Sequence, residues 1–229
     1  MARRLYLLAA VFAGLFVAAF AVDLPVSDFC REGRVPGDLR KLFELAEVFA
    51  HGIGVGCIML TVLVLDRSRR RWVPRVLACA YGAGLVADLA KLMIARMRPR
   101  TGEYTSVWDT FVGWCPWLMA PDLHQAFDSD FQSLPSAHTA TAVGLAIGLA
   151  TMYPQGRWLF AFFALIASLQ RVVASAHFVS DTFAGAAIGC LVAAVCLDSR
   201  IAGKWFDRIE AAHGAGPENR CDFRAGPIG

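Results

Sequence analysis

Residues Ala137 to Asp198 read AHTATAVGLAIGLATMYPQGRWLFAFFALIASLQRVVASAHFVSDTFAGAAIGCLVAAVCLD. The stretch holds three apolar runs, about 137–153, 157–177 and 181–198, broken by a Tyr-Pro-Gln-Gly turn and by a short segment around His177 and Asp181. Each run approaches the roughly 20 apolar residues that a helix needs to cross a bilayer. Working outward, the same reading finds three more runs at about 5–22, 45–65 and 73–95. Backbone in hydrocarbon must satisfy its own hydrogen bonds, so each run is predicted to be a helix. The expected fold is an all-α bundle of six transmembrane helices. The composition agrees: of 229 residues, 57% are hydrophobic and 18% charged, and a soluble domain of this length carries more charge to face water. The net charge of +3 is dispersed along the chain. Without basic blocks interleaved with aromatics, it excludes a nucleic-acid binder.

The first run begins after Arg3-Arg4 and ends at Ala19-Phe20-Ala21, which resembles a signal peptide with its cleavage site. Its apolar stretch exceeds the about 7–15 residues usual for such peptides, so a retained helix is expected. Arginine and lysine set the orientation. The connection from Asp66 to Arg75 carries five arginines, and Arg3, Arg4, Arg157, Arg200, Lys204, Arg208, Arg220 and Arg224 fall on the same side, 13 of the 22 basic residues. That side, with both termini, is expected to be cytoplasmic in an inner (plasma) membrane. Residues 1–203 then form the membrane domain and 204–229 a flexible cytoplasmic tail. The outer connections are 23–44, with a short surface helix, and 96–134. The second holds Trp108, Phe111, Trp114 and Trp117, aromatics that settle at headgroup level. Cys30 and Cys115 share the oxidising side, which leaves a disulfide between them open. Cys57, Cys79, Cys190 and Cys196 read as small core residues.

Ionisable residues inside spans are costly and usually have a purpose. Here they fall in one layer: Lys91 and Arg98 at the outer end of the third span, His138 opening the fourth, and Arg171, His177 and Asp181 between the fifth and sixth. Three cations converging on a partly dry site call for an anion. Guanidinium forks match phosphate oxygens, and a lysine adds a point charge. Ser136, between Pro135 and an apolar helix, is a natural N-cap whose neighbouring N–H groups face the same anion. His177 and Asp181 are one helical turn apart, so a carboxylate can fix the ring's tautomer and leave its other nitrogen as nucleophile or base. His138 has no carboxylate at such spacing and suits a proton donor. Each residue also has a plainer reading: Lys91 can pair with Asp88, Arg98 and Arg100 can snorkel, and His177–Asp181 can be structural. His51 with Glu47 one turn before it, His124 and His213 are read as structural. The plain readings leave the joint spacing unexplained.

The segments Lys91-Leu-Met-Ile-Ala-Arg-Met-Arg98-Pro99, Pro135-Ser136-Ala137-His138, and Arg171 followed by His177 and Asp181 resemble the three-part signature of the type 2 phosphatidic acid phosphatase superfamily, which includes membrane lipid phosphate phosphatases and vanadium haloperoxidases. The resemblance implies a phosphohistidine on His177, oriented by Asp181, with His138 as general acid. It implies phosphate held by Lys91, Arg98, Arg171, Ser136 and the Ala137 N–H, with no cofactor and no metal for the phosphatase branch. Two positions depart from the pattern. Ala137 replaces the usual Gly and restricts φ, and Gln170 replaces the usual Ser and its hydroxyl.

The function expected from these residues is hydrolysis of a lipid phosphomonoester or pyrophosphate at the extracytoplasmic ends of helices three to six. Polyprenyl pyrophosphate, phosphatidylglycerol phosphate, phosphatidic acid and lipid A phosphate all stay open as substrates. The expected partners are that lipid and the bilayer, with no obligatory protein. The rivals are a phosphotransferase using an acceptor other than water, and a non-catalytic phosphate-lipid transporter or binding protein. A soluble haloperoxidase does not fit six spans.

Overall fold

A computed structural model describes residues 1–115 and 128–214 of the chain, with side chains to residue 212. Trp117, His124, Arg220, Arg224 and the side chain of His213 lie outside the described residues. The helices are α1 (Ala2–Ala19), α2 (Asp23–Arg31), α3 (Gly37–Ala46), α4 (Gly52–Leu65), α5 (Val73–Lys91), α6 (Ala137–Met152), α7 (Arg157–Val173), α8 (Val179–Leu197) and α9 (Gly203–Gly214). Two short strands, β1 (Ile94–Arg96) and β2 (Phe111–Trp114), form an antiparallel pair between α5 and α6.

Four of these segments, α1, α5 with the turn before it, α7 with the turn before it, and α8, are long and apolar enough to cross a membrane. A fifth crossing exists if α3 and α4, bent by 63° about the break between them, count as one span. Helix α6 is apolar but only 16 residues long. Two run boundaries are corrected. The third stops at Lys91 because residues 94–96 pair as a strand instead of continuing the helix. The fifth stops at Val173, where Ser175 turns the chain with a positive φ of 52°. The connection 23–44 holds two helices, α2 and α3, where one was expected.

Helix α6 is the hub and packs against α5, α7 and α8, while α1 lies along α8. Lipid tails are as apolar as leucine, so helix association in a bilayer relies on close van der Waals fit between small residues. At Gly185 of α8 a Cβ would collide with the Ser136 carbonyl oxygen, and at Gly144 of α6 with that of Cys79 in α5. Outward faces carry exposed Leu7, Val11, Ile53, Leu60, Leu85, Leu89, Phe162 and Leu165, the pattern of a lipid-facing surface.

The two ends of the bundle differ. At one end the Arg69 guanidinium sits 4.4 Å over the Tyr153 ring, and the Tyr153 hydroxyl donates to Asp66 at 3.0 Å. At that end too, Arg75 binds Asp207 at 2.5 Å and Glu210 at 2.7 Å. These contacts dock α9, so residues 203–214 are an attached helix, which corrects the expectation of a flexible tail over that stretch. At the other end Trp108 and Trp114 are exposed, and Phe111 packs at 6.1 Å from Phe20 of the α1–α2 turn. The cysteines 30 and 115 are both free thiols.

Candidate active site

His177 lies in the five-residue connection between α7 and α8 and is buried. The preceding turn is fixed by Ala176 and His177 N–H groups donating to the Arg171 carbonyl at 3.0 and 3.2 Å. The His177 Nδ1 is 2.6 Å from the carbonyl oxygen of Ser133. A carbonyl only accepts, so Nδ1 carries the proton and Nε2 presents a lone pair. Burial pushes the ring down to about 4, against an opposing pull from Asp181, so it is neutral near pH 7.

The Asp181 carboxylate stands 3.8 Å from that Nδ1, beyond hydrogen-bond distance. It reaches His177 through Ser133 instead, whose hydroxyl donates to Asp181 Oδ2 at 2.6 Å while its carbonyl accepts from the imidazole N–H. Asp181 also caps α8 by accepting the Phe178 N–H at 2.8 Å. Its Oδ1 accepts from Arg96 at 2.5 Å. Arg96 is fully buried and donates further to Ser180 at 2.7 Å, to Asp23 at 2.7 Å and to Thr110 at 3.1 Å. Asp23 in turn accepts from the Ser180 N–H and hydroxyl. The rings of Phe178, Phe111 and Phe20 surround the Arg96 guanidinium at 4.3, 4.9 and 5.4 Å. Arg96 and Asp23 were not among the residues singled out from sequence.

The second motif is held to the third by the backbone, with Ser136 N–H donating to the Asp181 carbonyl at 3.0 Å. Ser136 is the N-cap of α6, its hydroxyl accepting the Thr139 N–H at 3.3 Å. Ala137 and His138 therefore occupy the first helical turn, where backbone N–H groups lack intrahelical acceptors. The His138 ring is partly exposed and lies 6.2 Å from that of His51. His51 caps α4, its Nδ1 accepting from the Ile53 N–H at 3.3 Å.

Of the three cations, Lys91 is nearly buried and does bind Asp88, at 3.0 Å. Arg98 is fixed by its N–H to the Asp130 carbonyl at 2.9 Å and by its carbonyl, which accepts from Thr101 at 2.7 Å. Burial, and after it the Arg100 and Arg171 cations, pulls the Arg98 guanidinium below its ordinary value. The Nε donors of both Arg98 and Arg171 are buried with no hydrogen-bond partner among the described residues. Buried donors are nearly always satisfied, so these two guanidinium nitrogens offer an anion two unused donors. Arg171 also donates to Glu47 at 3.0 Å and to the Gln170 side-chain oxygen at 3.2 Å. Glu47 was read as structural with His51, yet its carboxylate lies 3.7 Å from His138 Nε2. A glutamate inside an apolar run was the available signal.

The Lys91, Arg171 and His177 side chains all bear electrostatically on His138, and Arg98 bears on His177, so the three motif segments approach one another. Structurally the chain is similar to LpxE of Aquifex aeolicus, with a TM-score of 0.54 at 19% identity, over 78% of this chain and 96% of that one; at that identity the likeness is one of fold. The lipid A 1-phosphatases of Rhizobium johnstonii and Rhizobium etli are 33% and 32% identical to it over 107 residues. That match takes in 47% of this chain but only 39% and 41% of theirs. The PAP2 superfamily matches residues 72–202. Because that range exceeds half of the sequence and contains all three motif segments, the chain belongs to the PAP2 superfamily.

Proposed function

We propose that the protein is a membrane lipid phosphatase that hydrolyses a phosphomonoester or pyrophosphate headgroup through a phosphohistidine on His177, without a metal. The observation that carries this reading is the pair of buried, unpartnered Nε donors of Arg98 and Arg171 beside the neutral His177 ring. The Nε2 lone pair of His177 attacks phosphorus as the bond to the leaving oxygen breaks, and His138 gives that oxygen a proton. In the second step water attacks phosphorus, the P–N bond breaks and His138 takes the water's proton. Lys91, Arg98, Arg171, Ser136 and the Ala137 N–H stabilise charge on the transferring group, the largest contribution expected in such a site. Asp181 acts through Ser133, favouring the positive charge that develops on His177.

The names of the two Rhizobium relatives support a lipid phosphate as substrate. We count six crossings by taking the broken α3–α4 pair as the second and the 16-residue α6 as the fourth, one more than length and hydropathy give by themselves. In this arrangement the site opens at the extracytoplasmic surface, both termini are cytoplasmic, and the lipid tail stays in the bilayer. The experiment is a phosphate-release assay in detergent across a lipid phosphate panel. His177→Ala is expected to lower turnover by roughly three or more orders of magnitude and to leave no phosphate on the protein in acid-free quenches, while EDTA leaves the wild type active. Undiminished turnover in His177→Ala, or strict metal dependence, overturns the mechanism.

A further inference from the structure

The break between α3 and α4 does more than shorten a span. The turn at Glu47–Phe49 and the 63° bend that follows carry the Glu47 side chain into the cluster. The bend is built in: His51 caps the new helix and Phe49 packs against Phe163 at 5.5 Å. A carboxylate within a membrane segment is costly unless it has a role, and broken helices in membranes tend to lie at binding sites.

Three site groups meet that carboxylate. Glu47 Oε1 lies 3.0 Å from Arg171 Nη1 and 3.7 Å from His138 Nε2, and Oε2 accepts from Gln170 at 3.5 Å. Gln170 is the position where the family's usual serine is absent, and its other amide atom accepts from Arg171. The departure from the motif is thus a holder for Glu47. Lys91, Arg171, His177 and His51 all act electrostatically on His138, and Glu47 is the one carboxylate within ion-pair distance of its ring among the described residues. At 3.7 Å the contact is a counter-charge and no hydrogen bond, which leaves the ring N–H free for another acceptor.

Building on the phosphohistidine reading, we propose that Glu47 is a positioning residue with two linked roles. It supplies the counter-charge that lets His138 carry its proton to the leaving oxygen, and it occupies Arg171 until phosphate displaces it. The two roles predict opposite effects of one substitution. Losing the carboxylate frees Arg171, so anions bind more tightly, while the proton donor loses its partner, so turnover falls. A structural residue would weaken both.

The test uses the full-length protein in detergent with Glu47→Gln and Gln170→Ser. Orthovanadate affinity is measured by titration, and turnover is compared between p-nitrophenyl phosphate, whose leaving group needs little proton transfer, and phosphatidic acid, whose leaving group needs it. Glu47→Gln is expected to bind orthovanadate roughly fivefold or more tightly. Its kcat is expected to fall about ten times further on phosphatidic acid than on p-nitrophenyl phosphate. Glu47→Asp should recover part of both effects, and Gln170→Ser should move both in the same directions by smaller factors. Equal losses on both substrates, or vanadate affinity that is unchanged or weaker, overturn the role of Glu47 while leaving the phosphatase reading standing. A wild type that neither binds orthovanadate nor releases phosphate overturns the phosphatase reading itself.

Discussion

Arg96 shows how much of this site is held by one charge with no exposure to water. It joins Asp23 of α2, Asp181 and Ser180 of α8 and Thr110 before β2. One guanidinium thus serves two fully buried carboxylates. Removing one partner of such a network leaves uncompensated buried charge. Arg96→Met is therefore expected to lower stability by about 3–5 kcal/mol, read as a fall in the melting temperature of detergent-purified protein; an unchanged melting temperature contradicts the keystone role. His177 supplies a second prediction with a definite sign. Its ring is held down at about 4, whereas an unfolded histidine titrates near 6.5. Between those values the unfolded chain binds a proton that the native chain refuses, so this group's contribution makes stability fall as pH drops from about 6.5 to about 4. Over the same window the nucleophile stays unprotonated. The acid limb that His177 imposes on kcat/KM is expected near pH 4, and a limb at 6.5 that Asp181→Asn shifts would contradict the burial argument. At this scale the sequence was a partial guide. Lys91, Arg98, His138, Arg171, His177 and Asp181 announce themselves because charge in an apolar run needs a reason. The partner of the His177 ring does not, because a backbone carbonyl, that of Ser133, has no side-chain signature. Asp23, Arg96 and Glu47 find their oppositely charged partners 73 to 124 positions away, a separation no local spacing rule spans.

At the scale of elements, the site depends on how closely α8 approaches the start of α6. A Cβ at position 185 would meet the Ser136 carbonyl, and the Thr139 Cβ at 3.1 Å. Ser136 is the residue that caps α6 and binds the Asp181 carbonyl through its N–H. Gly185→Ala must therefore push the second and third motifs apart. It is expected to lower the melting temperature and to reduce kcat by roughly tenfold or more, since a displacement of about 1 Å in a catalytic cluster can cost a hundredfold. Gly14→Ala on α1 is the matched control, because nothing lies within 4 Å of a Cβ there, and it should leave both quantities unchanged. Equal behaviour of the two variants contradicts the close-packing argument. The apolar runs place α6, α7 and α8 and the two turns between them, but not the end of α5 or the break in the second run. Hydrophobic runs locate apolar chain, while the end of α5 at Lys91 is set by strand pairing of residues 94–96 with 111–114. The split of the second run at residues 47–51 is set by a local cap, His51 on the Ile53 N–H, and by a ring contact of Phe49 with Phe163 that only the tertiary fold supplies.

At the scale of the molecule, the chain sorts its charges between two ends. The arginine-rich connection 66–72, the turn at 153–156 and helix α9 are tied together through Arg69, Tyr153, Asp66 and Arg75. The cluster around His177 and the loop with Trp108 and Trp114 lie at the opposite ends of α5 to α8. Positive charge resists translocation, so the arginine-rich end is expected to stay in the cytoplasm. The odd and even crossings then place Ser68 and Arg208 on one side and Thr105 on the other. In a cysteine-free background, single cysteines at these three positions give a direct reading with a membrane-impermeant thiol reagent on intact spheroplasts. Thr105→Cys is expected to label at once, and Ser68→Cys and Arg208→Cys only after the membrane is opened. Labelling of Ser68→Cys and Thr105→Cys from the same side would contradict the crossing count between them. Labelling of all three with reversed sidedness would keep the bundle but turn the active site toward the cytoplasm, where it would meet a different pool of lipid phosphates. The outcome therefore decides which leaflet supplies the substrate, because a headgroup can reach Arg98 and Arg171 only from the surface at which α5 to α8 present them.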